Sequence, residues 1–286
     1  MNMGQETKIA LIGYGYWGKI LHKNLKEIGF EEIQIFDDVL GNTESLDGNF
    51  SHYLIATPFQ THQSIIQRIC EYRDKWIWCE KPLVSTLDQA SFLYEISGKT
   101  GNHLFVDWIY NYNPAIDFIQ SHLKGKKIKQ ILLNRTNNGP MRTDCQSYWD
   151  LSSHDLTILI KIMGHNFPFK FKWNEFSLKT NESFGSNLSW HYSDGIQIII
   201  NSSWQHTSKN RVILFILEDD SIIVFNDQNK TIIIDGKEVK NYTDYPSPLH
   251  TALNIFFSGE ASEYEENRNL TLKITSLLQT KTKKIV

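Results

Sequence analysis

Lys81 sits in the triplet Glu80-Lys81-Pro82, directly after the apolar run Trp76-Ile77-Trp78-Cys79. An amine at such a place can take or give a proton when burial or a neighbouring positive charge weakens the charged form of a lysine. Proline after it fixes the backbone and helps to aim the side chain. Glu80 can orient the ammonium. From the triplet alone, an ordinary salt-bridged turn is the simpler reading. A second constellation lies in "SYWDLSSHDL". Asp150 and His154 are four apart and share one face of a helix, and Asp155 is turned by about another 100°. Histidine relays protons or hydrogen-bonds a hydroxyl near neutral pH, and a carboxylate can fix its tautomer or hold a polyol. Equally open is a bland arrangement, with Asp150 as a helix N-cap and His154 as a buried, satisfied polar group.

Proton chemistry of this kind gains meaning from "KIALIGYGYWGKILHKNL". Gly13, Gly15 and Gly18 form G-x-G-x-x-G between a strand pattern and a helix pattern, the context that a dinucleotide loop requires. Gly13 makes the tight turn, Gly15 lets a pyrophosphate approach the backbone, and Gly18 lets helix and strand pack closely. Tyr14, Tyr16 and Trp17 complete the loop, whose N–H groups at the helix start face the phosphates. Asp37 lies about twenty residues past the last glycine, where an acid binds the adenosine ribose hydroxyls. Asp38 can share that role. An acid there repels a 2′-phosphate, so NAD(H) is favoured over NADP(H). Thr57 and Pro58 follow a third strand at the carboxyl edge of the sheet, where ligands bind in open α/β folds. They are placed beside the cofactor, with His62, for which helix capping or surface exposure is an equal explanation. Oxidising a secondary alcohol sends a hydride to the cofactor and leaves a proton for the protein, which is the task open to Lys81; Glu80 and Lys81 then also lie against the cofactor, where Glu80 can contact the nicotinamide ribose in place of orienting the ammonium.

The composition narrows the class. The chain has 286 residues and a net charge of −3, so no basic excess points to nucleic acid. No run approaches the ~20 apolar residues of a membrane helix. The N-terminal stretch shows no basic segment followed by an apolar one, and a cytoplasmic location is expected. Cys70, Cys79 and Cys145 lack C-x-x-C spacing, which argues against a disulfide framework and against a metal site.

These residues need elements to hold them. Strand patterns at 8–12, 33–36, 53–56, 76–79 and 104–108 alternate with helix patterns at 18–28, 61–73 and 86–99. Continuously apolar strands separated by helices predict a parallel α/β sheet covered on both faces. From Asn113-Pro114 the pattern changes. Helices are predicted over 114–123, 148–163, 248–258 and 264–278. Strands are predicted over 128–134, 169–178, 188–192, 196–202, 212–217, 222–225 and 231–234, with a hairpin turn at Ser193-Asp194-Gly195. The expected architecture is a Rossmann domain over 1–113, then an α+β domain over 114–286 on a largely antiparallel open sheet. Trp173, Trp190, Tyr192, Trp204 and His206 read first as sheet core or interface, and second as a sugar-stacking surface.

The ordered set G-x-G-x-x-G, A-T-P, E-K-P, N-P-A and D-x-x-x-H resembles the Gfo/Idh/MocA oxidoreductases over most of the first 160 residues. "GYGYWG", "YNPA" and "NNGPMRTDCQSYWDLSSHDL" look like members acting in polysaccharide or nucleotide-sugar pathways. The resemblance implies that Lys81 moves the substrate proton, that Asp150 and His154 line the substrate site, and that the C-terminal sheet joins subunits into a homodimer or homotetramer. The chain departs from the family pattern at Asn111, where an arginine is common, and at Ser152, where glycine is usual. Arg135, Asn138 and Arg142 lie upstream as candidate contacts for a substrate phosphate or carboxylate. The resulting expectation is an NAD(H)-dependent oxidoreductase acting on a hydroxyl or keto carbon of a sugar, sugar nucleotide or cyclitol. Beside it stand an NAD-recycling glycoside-cleaving enzyme, a reductase of a non-sugar substrate, and a non-catalytic NAD-binding regulatory or scaffold protein.

Overall fold

Ile9–Ile12 (β1) is buried along its whole length, as a strand covered on both faces must be. It is followed by α1 (Tyr16–Ile28), β2 (Ile33–Phe36), β3 (His52–Ile55), α2 (His62–Ile69), β4 (Trp76–Cys79), α3 (Leu87–Lys99) and β5 (His103–Val106). The five strands are all parallel, in the order β2-β1-β3-β4-β5. The strand order reverses at the β1/β3 boundary, and ligands bind outside the carboxyl ends of such a switch point. The glycine loop leaves β1 there, and Ala56-Thr57-Pro58 leaves β3 beside it. The computed structural model describes residues 7–142, 145–178, 185–280 and the backbone of 283–284.

After β5 come α4 (Pro114–Leu123), β6 (Ile128–Asn138), α5 (Ser153–Met163), β7 (Asn174–Phe176), β8 (Ser186–Ser193), β9 (Ile196–Ser203), β10 (Gln205–Leu217), β11 (Ile222–Asn226), β12 (Thr231–Ile234), β13 (Lys237–Asn241), α6 (Pro248–Ser258), α7 (Ala261–Leu278) and β14 (Lys283–Lys284). Nine strands form one sheet, in the order β13-β12-β11-β10-β6-β9-β8-β7-β14. It is antiparallel except for the β6–β9 and β7–β14 pairs. The turn at 193–195 has Asp194 at φ 53° and Gly195 at φ 79°, the paired positive φ values that tight hairpins need. Alternation is clear across the sheet. Ile131, Leu133, Ile198, Ile200, Ile213 and Phe215 are buried. On the opposite face Trp190, Ile199, Leu132, Leu214, Val224 and Ile233 stand in one register row across six strands, none of them buried.

Contacts divide the chain into two compact units. One is 1–109 with 249–275, and the other is 110–248 with 276–286. The first unit therefore reclaims a distant segment. Asn267 on α7 accepts from Val106 N and donates to Val106 O, both at 2.8 Å. Its amide stands in for the strand that the β5 edge lacks, which blunts an open edge. Trp108 Nε1 donates to Thr271 Oγ1 at 2.8 Å. Phe256 on α6 packs edge-on against Trp78 and lies beside Phe105. In this aromatic layer burial drives the His52 imidazole down to about 4.

Three local expectations change. The predicted strand over 169–178 shrinks to β7. Phe167, Phe169 and Phe171 fill space around His191 instead, and side chains of β8 bond their backbone: His191 Nδ1 meets Lys170 N at 3.0 Å, and Ser189 Oγ donates to Lys172 O at 2.5 Å. The helix predicted from Tyr148 begins with a π-helical turn over Tyr148–Ser152 before α5. β13 was not expected, because Lys237, Glu238 and Lys240 hide any alternation; charge is what guards an edge strand.

Candidate functional site

The first unit builds its loop from backbone. Gly13 has φ +90°, and a Cβ there would lie 2.8 Å from the Ala56 carbonyl. At Gly18 a Cβ would lie 2.0 Å from Gly13 O, so only glycine lets α1 close onto the turn. At Gly15 a Cβ would meet nothing within 4 Å, so the backbone here faces open space. Asp37 ties this loop to the end of β2. Its Oδ2 accepts from Tyr14 N at 2.6 Å and its Oδ1 from Val39 N at 2.9 Å. A carboxylate has about four lone-pair sites, so acceptor capacity remains for hydroxyls. Asp38 is exposed at the start of the following 3₁₀ turn. Tyr16 and Trp17 are exposed at the mouth of the loop, and Tyr14 Oη pairs with His22 Nδ1 at 2.7 Å. Open space at Gly15, donors at the start of α1 and an acid at the β2 end fit an adenine dinucleotide.

The loops after β3 and β4 are joined by one side chain. His62 is buried, with Nε2 3.0 Å from Thr57 O and Nδ1 3.1 Å from Pro82 O and 3.2 Å from Leu83 O. Its ring braces the two loops, and the surface alternative for this residue does not hold. Thr57 Oγ1 accepts from Thr61 Oγ1 at 2.7 Å, and Pro58 is exposed. Glu80 and Lys81 are both buried, although they sit just past the end of β4. The Lys81–Pro82 peptide is cis.

Sequence reasoning missed Asp107. It follows β5 as Glu80 follows β4. Cys79 pairs with Val106, and Asp107 N donates to Cys79 O at 2.9 Å, so the ladder register continues to Glu80 and Asp107. Asp107 is 3% exposed and Glu80 7%. Burial, then the Glu80 charge and a hydrogen bond to Glu80, hold the Asp107 carboxyl well above the usual carboxylate range, with Lys81 pulling the other way. The same surroundings push the Cys79 thiol up. The only hint in the sequence is an acid placed directly after an apolar strand.

The second unit holds Asp150 in place from two sides. Trp204 Nε1 donates to its Oδ2 at 3.1 Å, and Arg142 lies 3.3 Å from its Oδ1. Asp150 is thus not the N-cap that the spacing left open; it belongs to the π-helical turn, a feature frequent at functional sites. His154 is half-buried, its ring 5.1 Å from that of Tyr110. Asn138 ends β6 in register with Gln205, and Gly139 N donates to Trp204 O at 2.7 Å. Asn138, Arg142, Trp204 and Asp150 therefore share one corner of this unit. Ser152 fills the usual glycine position with a buried hydroxyl that donates to Ser202 Oγ at 3.0 Å. Asn111 lends its carbonyl to Lys161.

Arg135 does something else. It is fully buried, with Nε and Nη2 each 2.9 Å from Asp155 Oδ1 and Nη1 2.8 Å from the Tyr110 hydroxyl. That hydroxyl donates to Asp227 Oδ2 at 2.6 Å. Arg135 is therefore a core cation, and a substrate anion has no access to it. Asp155 serves this network: burial pushes its carboxyl up, and the Arg135 guanidinium pulls it back. Of the aromatic candidates, Trp173 is core, bonded to Leu277 O, while Trp190 and Tyr192 are exposed.

Residues 26–108 match a family described as an oxidoreductase family with an NAD-binding Rossmann fold, GFO_IDH_MocA. The first unit has the Rossmann fold of the Gfo/Idh/MocA oxidoreductases. The match begins inside α1, beyond the glycine loop, and runs to Trp108. No curated protein matches the chain. Solved structures share its fold over nearly full length. UDP-N-acetylglucosamine 3-dehydrogenase GnnA from Acidithiobacillus ferrooxidans is 16% identical, covering 96% of this chain and 98% of its own, with a TM-score of 0.74. A 3-ketoreductase from Actinomadura kijaniata, in complex with TDP-benzene and NADP, is 11% identical, covering 97% and 98%, with a TM-score of 0.73. The dehydrogenase MviM from Clostridium difficile is 16% identical, covering 96% and 98%, with a TM-score of 0.76. Among the described residues no helix is long and apolar enough to cross a membrane.

Proposed function

We propose that this chain is an NAD(H)-dependent oxidoreductase of the Gfo/Idh/MocA family acting on a hydroxyl or keto carbon of a sugar, sugar nucleotide or cyclitol, with Lys81 as acid/base. The observation that carries the reading is a buried lysine at the carboxyl edge of a Rossmann sheet, two strands from its glycine loop. NAD, when bound, supplies the hydride acceptor or donor. Gly13, Gly15 and Gly18 let its phosphates approach the backbone, and Asp37 accepts from ribose hydroxyls while opposing a 2′-phosphate. Lys81 holds or takes the proton of the substrate hydroxyl. Asp150 and His154, with Asn138 and Arg142, are the substrate-binding groups of the second unit. The UDP-N-acetylglucosamine activity named for the dehydrogenase, and the TDP-benzene bound to the ketoreductase, favour a nucleotide-linked substrate within this class. Three free cysteines suit a reducing cytoplasm.

A panel of nucleotide sugars, free sugars and cyclitols, assayed for NADH formation, tests the proposal. Turnover on at least one class is expected. Failure to bind NADH or NADPH in a fluorescence titration would sink it.

The same reading makes the open face of the nine-stranded sheet a surface for homodimer or homotetramer formation. The row of six apolar residues, Trp190 among them at 55% exposed, is flanked by Tyr192 at 73% exposed, and contiguous apolar surface of this kind marks interaction sites. Trp190→Glu is expected to shift the protein to a smaller species in sedimentation velocity. An unchanged sedimentation coefficient excludes this face.

A further inference from the structure

Two acids and one cation are buried together just past β4 and β5. Glu80 and Asp107 continue the Cys79–Val106 register of two adjacent parallel strands, so their side chains leave the same face of the sheet. Both lie under one-tenth exposed, and so does Lys81. Two ionised carboxylates this close repel, and a buried cluster holding a net charge is costly. One proton between the two acids removes both penalties: one carboxylate remains to face one ammonium. The Cys79 thiol, one residue before Glu80 on β4, is pushed up by burial and adds no charge to the cluster.

We propose that Asp107 is a positioning residue of this site: its carboxyl donates a hydrogen bond to Glu80, and the pair presents a single negative charge to Lys81. The proposal builds on the acid/base role given to Lys81. Its logic is geometric. Glu80 is fixed through its backbone, with Glu80 N donating to Ile55 O at 2.9 Å. A donor on Asp107 then orients the Glu80 carboxylate, and that carboxylate sets where the Lys81 ammonium rests. Asp107 acts through Glu80 and need touch neither substrate nor cofactor.

The proton has a thermodynamic signature. A folded-state carboxyl held above its ordinary range keeps a proton that the unfolded chain has already released. Folded protein then binds more protons than unfolded protein, and stability falls as pH rises above the ordinary carboxylate range. Asparagine at 107 keeps a donor for Glu80 and cannot titrate.

Three measurements test this on the full-length chain. The infrared difference spectrum of wild type minus Asp107→Asn at neutral pH is expected to show a protonated-carboxyl carbonyl band. Carboxylate bands alone would overturn the shared proton. In urea titrations from pH 5 to 8, the midpoint of Asp107→Asn is expected to rise steadily relative to wild type. Parallel pH dependences would overturn it equally. Turnover of Asp107→Leu, which leaves Glu80 without a donor, is expected to fall about tenfold or more below that of Asp107→Asn, the scale of a lost charge-assisted hydrogen bond. Equal turnover in the two variants ends the positioning role. The infrared and urea readings do not depend on catalysis, so an acid/base role lost from Lys81 would leave them standing.

Discussion

Lys81→Met is expected to lower turnover by about 10²–10⁴-fold, the range of a positioned general acid or base. Methionine keeps a similar length and removes the proton carrier, so the loss should fall on turnover more than on cofactor affinity. The loop that approaches the phosphates is built from Gly13, Gly15, Gly18 and Asp37, on β1 and β2, and does not use the Lys81 side chain. NADH fluorescence titration is therefore expected to give nearly the wild-type dissociation constant. Single-turnover measurements separate the two effects. Unchanged turnover in Lys81→Met, with a substrate in hand, would remove lysine from the chemistry.

Arg135→Ala is expected to cost about 3–5 kcal/mol of folding stability, because it strands a buried carboxylate at Asp155. That is a large share of a total near 5–15 kcal/mol, so expression is expected to fall as well. The guanidinium also lies 4.6 Å from the Tyr110 ring centre, and that contact goes with it. Arg135→Leu combined with Asp155→Leu is expected to recover much of the loss, since apolar replacement of a whole buried pair is often neutral or stabilising. Urea midpoints report both. A loss below about 1 kcal/mol for Arg135→Ala would mean that water reaches Asp155 and screens it as it does a surface pair.

What could be read beforehand follows from physics that acts locally. Continuous apolar runs separated by helical periods disclosed β1, β3, β4 and β5, while β2, at the sheet edge with Gln34 exposed, showed itself by alternation. Asn113 and Pro114 disclosed the start of α4, where Asn113 Oδ1 accepts from Ala115 N at 2.9 Å. The spacing of Gly13, Gly15 and Gly18 carried the loop geometry, because a Cβ at Gly13 or Gly18 would run into backbone, while a bare Gly15 leaves room for a phosphate. Non-local facts stayed hidden. Arg135 looks like a surface cation until Asp155 and Tyr110 are seen around it. Asp107 gains its meaning only beside Glu80, a neighbour in register and distant in sequence. The π-helical turn at Tyr148–Ser152 has no periodic signature of its own, and the edge strand β13 conceals itself behind charge.

The clasp of Asn267 on the β5 edge bears on the order of events during synthesis. The first unit starts with β1 and is complete only when residue 275 has been made. Until α6 and α7 have been made, β5 has neither its clasp nor the cover of α6 over Trp78 and Phe105. An open strand edge beside exposed aromatics is the kind of surface that chaperones hold and that neighbouring chains pair with. Residues 249–275 thus act as the closing stitch of the first unit, and truncation before α6 is expected to leave a nascent-like state and not a smaller dinucleotide-binding protein.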